Sequence, residues 1–537
     1  MSAAIVVFGT KMTRARSYLD KHKYWYTSSL SLTLLFGLIF FYALNLFVYN
    51  YSVNNFHAID KACATLLLAS FGLWGAQCVG YIDHLLKSVL IYKTPEERGQ
   101  VRCVSGQPAV GIFIPVFNEN PNLVKEIVLN TLNIEYSNFE LYLLDDSNDL
   151  RICAKLRDLA NELNFNYVRR NNRRGHKAGA INDAIKKLDG AVKYLLILDV
   201  DHCPTANILA DLVPLLEDDE QVSFVQTPQY FSNHAVEKIP LAYSFQQHVF
   251  HKHVCRGLDV NGAMFMCGTN LLIRVDQLKE IGGMDETCIT EDIATSFLLH
   301  SRGYKSLYVD KVYAEGISPQ TLAAYFTQQM RWAYGTIQNC KRCASLLFRS
   351  PKRLYVAQWW EYLIINGLWY FSGLTFFVWI IYTISVLLFN VRPIIFVPFD
   401  LPFLIFIVMV GSQLLTSIHE RAYRLRDLFL AQGLYYNLFP IFIRAMLYSL
   451  LGKQIDFVVT PKGGTQLIPL KKLWPHISIL AVLLLATSSG VWKVTTGQFS
   501  LQYLHVLGWA IYNIVMLSSI FYFYIRDRHR NSEVEAP

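Results

Sequence analysis

Tyr194-Leu195-Leu196-Ile197-Leu198-Asp199-Val200-Asp201-His202-Cys203-Pro204 decides how the rest of the chain is read. An unbroken apolar run of strand length that ends in carboxylates is the pattern of a buried parallel strand whose carboxyl end opens into a site. Asp199 and Asp201, one residue apart where the backbone turns, bring oxygen ligands to one hard divalent cation. Such a cation bridges a nucleotide diphosphate and stabilises it as a leaving group. An isolated Asp-x-Asp is more often a solvated turn, so the reading depends on its surroundings.

With 537 residues, 53% hydrophobic and 14% aromatic, the chain is too apolar for one soluble domain and too long for one core. The composition predicts part membrane and part globule. A net charge of +8 fits basic residues at a cytosolic membrane face and its lipids, and no nucleic-acid motif accompanies it. The ten cysteines are scattered. Cys340-x-x-Cys343 has no second pair at zinc spacing, so reduced cytosolic thiols are expected. His248, His251 and His253 cluster without an evident acid or cysteine partner, and read as surface or packed side chains.

Residues 1–27 form a basic arm expected to stay cytosolic, with Lys11, Arg14, Arg16, Lys21 and Lys23. Ser28 to Tyr49 and Cys63 to Ile82 are each long enough to cross a bilayer, and predict a transmembrane hairpin over 28–82. From 105 to 345 short apolar runs alternate with charged helical stretches. Gly111 to Val116, Leu141 to Leu144, Tyr194 to Leu198 and Val222 to Gln226 read as strands, with helices over Asn122 to Leu132 and Lys177 to Leu188. That alternation predicts an α/β globule with a mainly parallel sheet. Residues 346–452 read as interfacial helices, over Tyr355 to Tyr370 and Leu428 to Leu451, with two spans, near Phe371 to Asn390 and Leu401 to Ile418. A loop covers 453–471, two spans at Trp474 to Val491 and Leu504 to Ile525 occupy 472–525, and 526–537 is a basic tail. Six spans with both ends inside fit the positive charges.

Besides the central pair, four clusters stand out. Pro115 to Glu119 follows the first strand and Asp145-Asp146 the second, so both reach the sheet edge that carries Asp199 and Asp201, where a nucleotide should bind. Arg173, Arg174 and Gly175-His176-Lys177-Ala178-Gly179 offer cations and close backbone approach before a helix, which suits phosphates. Thr290-Glu291-Asp292 opens another helix. A helix-start acid is commonly a cap, but Asp292 also reads as a general base that takes a proton from an acceptor hydroxyl and so inverts the anomeric centre. In Gln328-Gln329-Met330-Arg331-Trp332 a Trp face suits a pyranose ring and an Arg a diphosphate, against the plainer role of interfacial anchor.

Asp145-Asp146, His176 to Gly179, Asp199-Val200-Asp201, Gln226-Thr227-Pro228, Phe265 to Gly268, Thr290 to Asp292 and Gln328 to Trp332 occur in the order found in family 2 glycosyltransferases of the cellulose synthase type, which the chain resembles from about Gly111 onward. Phe457-Val458-Val459-Thr460-Pro461-Lys462 resembles the gating loop of bacterial cellulose synthase catalytic subunits. The resemblance implies an α/β GT-A (Rossmann-like) cytosolic domain inserted into a helical transmembrane domain of about six spans, in the plasma (inner) membrane. It implies transfer of glucose from UDP-glucose, with Mg²⁺ or Mn²⁺, to a growing polysaccharide. By the same resemblance Glu119, Asp146 and Lys177 hold UDP, and Asp199 and Asp201 hold UDP and its metal. Asp292, with Glu291 and Thr290, forms the catalytic cluster. Gln328 and Arg331 line the donor site, Trp332 stacks on the terminal sugar, and Thr460 and Lys462 belong to a lid.

The departures are Ser147 in place of the family's Gly, only two early spans, the absence of the plant enzymes' cysteine-rich module, and a tail at Arg526 to Pro537 too short for a cyclic-di-GMP-binding domain. Direct control by that nucleotide is therefore not expected. Linkage, β-1,4 or β-1,3, is not legible, and an accessory subunit is left open. The alternatives are a non-processive transferase acting on a lipid, a synthase using another UDP-sugar, and an inactive sugar-binding scaffold.

Overall fold

The computed structural model describes residues 57–99, 106–170, 172–235, 237–391, 424–455, 467–498 and 504–534, with isolated positions at 37, 38, 41, 44 and 48. The expected spans at 28–49 and 401–418, and the loop carrying Thr460 and Lys462, lie outside the described residues, apart from the isolated positions.

The strands are β1 (Ala109–Val116), β2 (Phe139–Asp145), β3 (Asn166–Arg169), β4 (Val192–Ile197), β5 (Cys203–Pro204), β6 (Val222–Gln226), β7 (Tyr230–Phe231), β8 (Leu271–Arg274), β9 (Lys305–Tyr308) and β10 (Ala314–Gly316). Seven form one sheet in the order β3-β2-β1-β4-β8-β6-β9, and β5, β10 and β7 form a small second sheet. In the large sheet only β8 runs antiparallel to its neighbours, β4 and β6. The run quoted at the outset is apolar on both sides because both sheet faces are covered. Tyr194, Leu196 and Leu198 enter one core layer with Ile112, Ile114 and Leu212, while Leu195 and Ile197 enter the other with Phe113, Ile181 and Leu278. The chain leaves β1 toward β2 and β3 on one side, and reaches β4 on the other. Loops after β1 and β4 therefore diverge and leave a crevice at their carboxyl ends.

The helices that matter below are α1 (Ala58–Leu90), α2 (His176–Ile185), α3 (Glu291–Ser301), α4 (Leu322–Arg349), α5 (Ser372–Phe389), α6 (Leu425–Tyr436), α7 (Phe439–Leu450), α8 (Trp474–Thr495) and α9 (Leu504–Val534). Four segments, Ala58–Leu90, Ser372–Phe389, Leu470–Thr495 and Leu504–Arg528, are long and apolar enough to cross a membrane. Each covers one of the six expected spans. The stretch at Leu428 to Leu451, expected as one interfacial helix, is two helices. They break at Asn437, whose amide donates to the Gly433 and Met516 carbonyls. Helix α4 runs to Arg349, past the expected end of the globule at 345. Residues 360–366 form a π-helical turn.

The globule and the helices share packing. Phe231, Tyr243, Tyr325 and Tyr334 lie in one buried cluster with Leu434, Phe442, Ile520 and Phe523. Asp527 of α9 accepts from the Leu322 N–H at the start of α4 (3.2 Å), a site where a carboxylate is favoured by the helix dipole. At the end of α1 the contact is polar. Lys87 Nζ donates to Asp83 (2.6 Å) and to Asn261 (2.8 Å), Asn261 donates to Glu361, and His84 Nε2 meets Glu361 at 2.9 Å. All five side chains are buried. Gly257 lies against His84, and a Cβ there would sit 2.6–2.8 Å from its ring, Cα and Cβ. Gly257→Ala is accordingly expected to destabilise the protein by about 1–3 kcal/mol through overpacking, read as a lower Tm in detergent.

Candidate active site

The crevice at the β1/β4 divergence is a cleft of about 230 Å³. Glu119, Asp146, Lys177, Asp199, Asp201, Thr290, Glu291, Asp292, Gln328, Arg331 and Trp332 all line it, so eleven of the thirteen residues singled out in the sequence meet in one place. Thr460 and Lys462, the other two, lie outside the described residues.

Its floor is built from the ends of β1 and β2. Asn118 takes a positive φ of 53°, and its backbone N–H donates to Ser147 Oγ (2.8 Å), so Ser147 ties the β1 and β2 loops together. The first acid of Asp145-Asp146 is structural: it accepts from the Ser147 N–H and the Tyr167 hydroxyl and is fully buried. Asp146 faces the cleft, gripped by both arms of Arg170 at 2.6 Å. The same guanidinium donates to the Arg174 and His176 carbonyls, which fixes the loop before α2. Burial lowers the Arg170 guanidinium's affinity for its proton, but Asp146 and Asp183 outweigh this and raise its pKa. Gly179 is required where that loop crosses α2, since a Cβ would lie 1.9 Å from the Arg174 carbonyl oxygen. Arg173 stacks on Phe117 at 3.3 Å.

One wall carries charge. Lys177 Nζ bonds Asp199 and donates to the Gly268 carbonyl (2.8 Å). Burial opposes its charge, yet Asp199, Glu291 and Asp292 together raise its pKa. Gln226, fully buried, holds the loop that presents Gly268. Its amide donates to the Thr269 carbonyl (2.8 Å), and its oxygen accepts from the Cys267 N–H (2.8 Å). Asp199 and Asp201 stand with His202 so that one ligand atom from each lies within 4.8 Å of the others. Two carboxylate oxygens and an imidazole at that spacing suit a divalent cation, so the donor set fits.

Facing them, Asp292 accepts from the Ile293 N–H (2.8 Å). Burial and then the neighbouring Glu291 push its pKa up to about 7. Burial likewise raises Glu291, opposed by Lys177. Arg331 is desolvated, which lowers its pKa against the pull of Glu291, Asp199 and Asp292. The Tyr243 hydroxyl meets Gln328.

Sequence reasoning singled out none of His202, Tyr243, Gln229 and Arg170. His202 directly follows the acids and was legible by position; Tyr243 falls within Tyr230 to Val260, a stretch the sequence assigns to positioning the acceptor without naming the residue. Two of the three clustered histidines are buried: His251 accepts from the Gln229 N–H (3.2 Å), and His253 meets Ser88 Oγ (3.0 Å), while His248 is half-buried beside the Tyr230 hydroxyl.

Such a sheet, with acidic loops gathered at its strand ends, is the GT-A-like arrangement of glycosyltransferases. Residues 108–335 match the model of glycosyltransferase-like family 2 and residues 274–468 that of cellulose synthase. The chain thus carries a glycosyltransferase family 2 domain and a cellulose synthase domain that overlap over residues 274–335. It is 27% identical over 430 residues to a cellulose synthase catalytic subunit (UDP-forming) of Pseudomonas fluorescens, covering 77% of this chain and 56% of that one. To the same-named subunit of Xanthomonas axonopodis pv. citri it is 30% identical, over 53% of this chain and 39% of that one. To cellulose synthase 1 of Komagataeibacter xylinus it is 26% identical, over 76% and 27%. It thus spans between about a quarter and about half of these relatives' lengths. Among solved structures, a mannosyltransferase of Pyrobaculum calidifontis in complex with GDP-Man and Mn²⁺ shares the fold, at TM-score 0.50 and 16% identity, over 73% of this chain and 99% of that one.

Proposed function

We propose that this chain is a processive, inverting β-glucan synthase that takes glucose from UDP-glucose and passes the lengthening polymer through a channel of its own membrane helices. The observation that carries the reading is the single cleft in which Asp199 and Asp201, Asp292, and the Gln328-to-Trp332 face of α4 converge. It lies where the globule packs on the helix bundle.

In this reading Glu119, Asp146 and Lys177 hold UDP, while Asp199 and Asp201 hold Mg²⁺ or Mn²⁺. When bound, that ion stabilises the diphosphate as it leaves. Asp292 takes the proton from the acceptor hydroxyl as its oxygen bonds the anomeric carbon and the bond to the diphosphate breaks, which inverts the centre. Gln328 and Arg331 face the donor, and Trp332 supports the terminal sugar. Thr460 and Lys462 belong to a loop that closes over UDP. Six spans, a cytosolic globule and the plasma membrane complete the arrangement.

The raised Asp292 gives a pH dependence with a definite sign. The base acts only when ionised, so kcat/KM for UDP-glucose is expected to be low below pH 7 and to rise through about 7 to a plateau. A profile flat across neutrality would remove Asp292 from this role.

The test of the function is to supply the protein in nanodiscs with labelled UDP-glucose and Mg²⁺ or Mn²⁺. Product is then digested in parallel with β-1,4- and β-1,3-specific glucanases. Polymer cut by one enzyme establishes synthesis and names the linkage. Labelled lipid without polymer would replace this reading with single transfer to a lipid acceptor.

A further inference from the structure

We propose that residues 285–290 form a docking strip that sets the position of Asp292, and that Gly335 and Arg342 of α4 are the positioning residues that hold it. The inference rests on the reading of Asp292 as the base.

The strip carries hydrogen bonds of its own as well as those that dock it. Asp285 Oδ1 accepts from the Thr287 and Cys288 N–H groups, at 2.8 and 2.9 Å. Its other oxygen accepts from Arg342 Nη1 at 3.0 Å, and Arg342 Nη2 donates to Thr287 Oγ1 at 2.6 Å. That fastens one end of the strip to α4.

The other end is fastened about two turns earlier on the same helix. Gly335 lies under Thr290: a Cβ at 335 would fall 2.7 Å from Thr290 Cγ2 and Oγ1, and 2.8 Å from its backbone nitrogen. The Cys288 thiol spans the contact, 3.5 Å from Thr290 Oγ1 and 3.5 Å from the Gly335 carbonyl oxygen. Thr290 occupies the N-cap of α3, yet its side chain makes no capping bond there. It packs onto α4 instead.

Two points turn this packing into a positioning device. Glycine inside a long helix is a weaker helix former than alanine, so the residue is costly unless the close approach offsets it. Gly335 is also four residues from Arg331 and three from Trp332, the spacing that puts residues on one helix face. The face that receives Thr290 is thus continuous with the face that lines the cleft, and Asp292 follows two residues after Thr290. The docking therefore fixes the base relative to Arg331 and Trp332, where a displacement of about 1 Å is enough to lower turnover by about 10²-fold.

The experiment uses the full chain in nanodiscs. In Gly335→Ala, UDP release from UDP-glucose is expected to fall at least tenfold in kcat, with KM for UDP-glucose and the Kd of UDP within twofold of wild type. Hydrogen exchange at amides 285–292 should quicken. Adding Thr290→Ser removes one of the three atoms that the new Cβ strikes and leaves Oγ1 and the backbone nitrogen, so it should recover only a minor part of the lost kcat. Arg342→Met should lower kcat several-fold at constant KM, and Arg342→Lys should restore most of it. This pair decides the question if Gly335→Ala does not fold. Wild-type kcat in both Gly335→Ala and Arg342→Met would overturn the inference, as would unchanged exchange over 285–292 in both. If the wild-type chain releases no UDP, the proposed function fails while the exchange comparison still decides the docking.

Discussion

Asp292→Asn is expected to abolish polymer formation and lower UDP release by about 10²–10⁴-fold, the range that a positioned general base supplies. The substitution is nearly isosteric, and its amide oxygen can still accept from the Ile293 N–H that holds Asp292 at 2.8 Å. It removes only the group that takes the proton. UDP should bind as tightly as before or slightly more so, because one of the negative charges near Lys177 is gone. The dependence of rate on pH near 7 should disappear with the carboxylate. Glu291→Gln is the informative companion, since Glu291 raises Asp292 by repulsion. Its loss should shift the acid limb to lower pH and leave substantial turnover. If Asp292→Asn keeps more than a tenth of wild-type kcat while Glu291→Gln does not, the base is Glu291.

Asp201→Asn should be nearly as damaging, by about 10²–10³-fold, because stabilising the departing diphosphate is worth several kcal/mol. Asp201 accepts from the Ile317 N–H at 3.2 Å and lies beside His202 at 3.3 Å, so an amide keeps part of its local bonding but loses the charge that a hard cation requires. The direct readout is Mn²⁺ binding followed by electron paramagnetic resonance, with and without UDP. Loss of Mn²⁺ binding with UDP affinity preserved in the absence of metal assigns the acid to the ion. Unchanged Mn²⁺ binding would overturn that assignment. Asp199→Asn should differ, since Asp199 is already paired with Lys177 and its loss frees that lysine as well.

The acids of the cleft were legible because each ends an apolar strand or opens a helix, and strand ends of one parallel sheet converge. The strand around Tyr194 to Leu198 was readable because a strand buried on both faces leaves an unbroken apolar run, whereas Val222–Gln226, equally buried, has its apolar run interrupted by Ser223. What escaped the sequence was set by distant contacts. Leu271–Arg274 is four residues long, and only its pairing with both β4 and β6 makes it a strand. The grip of Arg170 on Asp146 joins residues 24 apart, with no local pattern to announce it. The break at Asn437 was half legible. An Asn at 437 and a Pro at 440 within an apolar stretch disfavour a plain span, but the partner that stabilises the break, the Met516 carbonyl, is 79 residues away.

The knot of Asp83, His84, Lys87, Asn261 and Glu361 bears on how this architecture can be recombined. Burying charged and polar groups is tolerable only while each keeps its partner, and removing one strands the rest. Here the partners come from the end of α1, from the globule near Gly262 and from the turn at 360–366. A graft that exchanges catalytic globules between two such proteins, cut at the loops on either side, would separate residues selected to neutralise one another. The transferable unit is the globule together with α1 and the 360–366 turn, and chimaeras that respect that boundary are the ones with a route to folding.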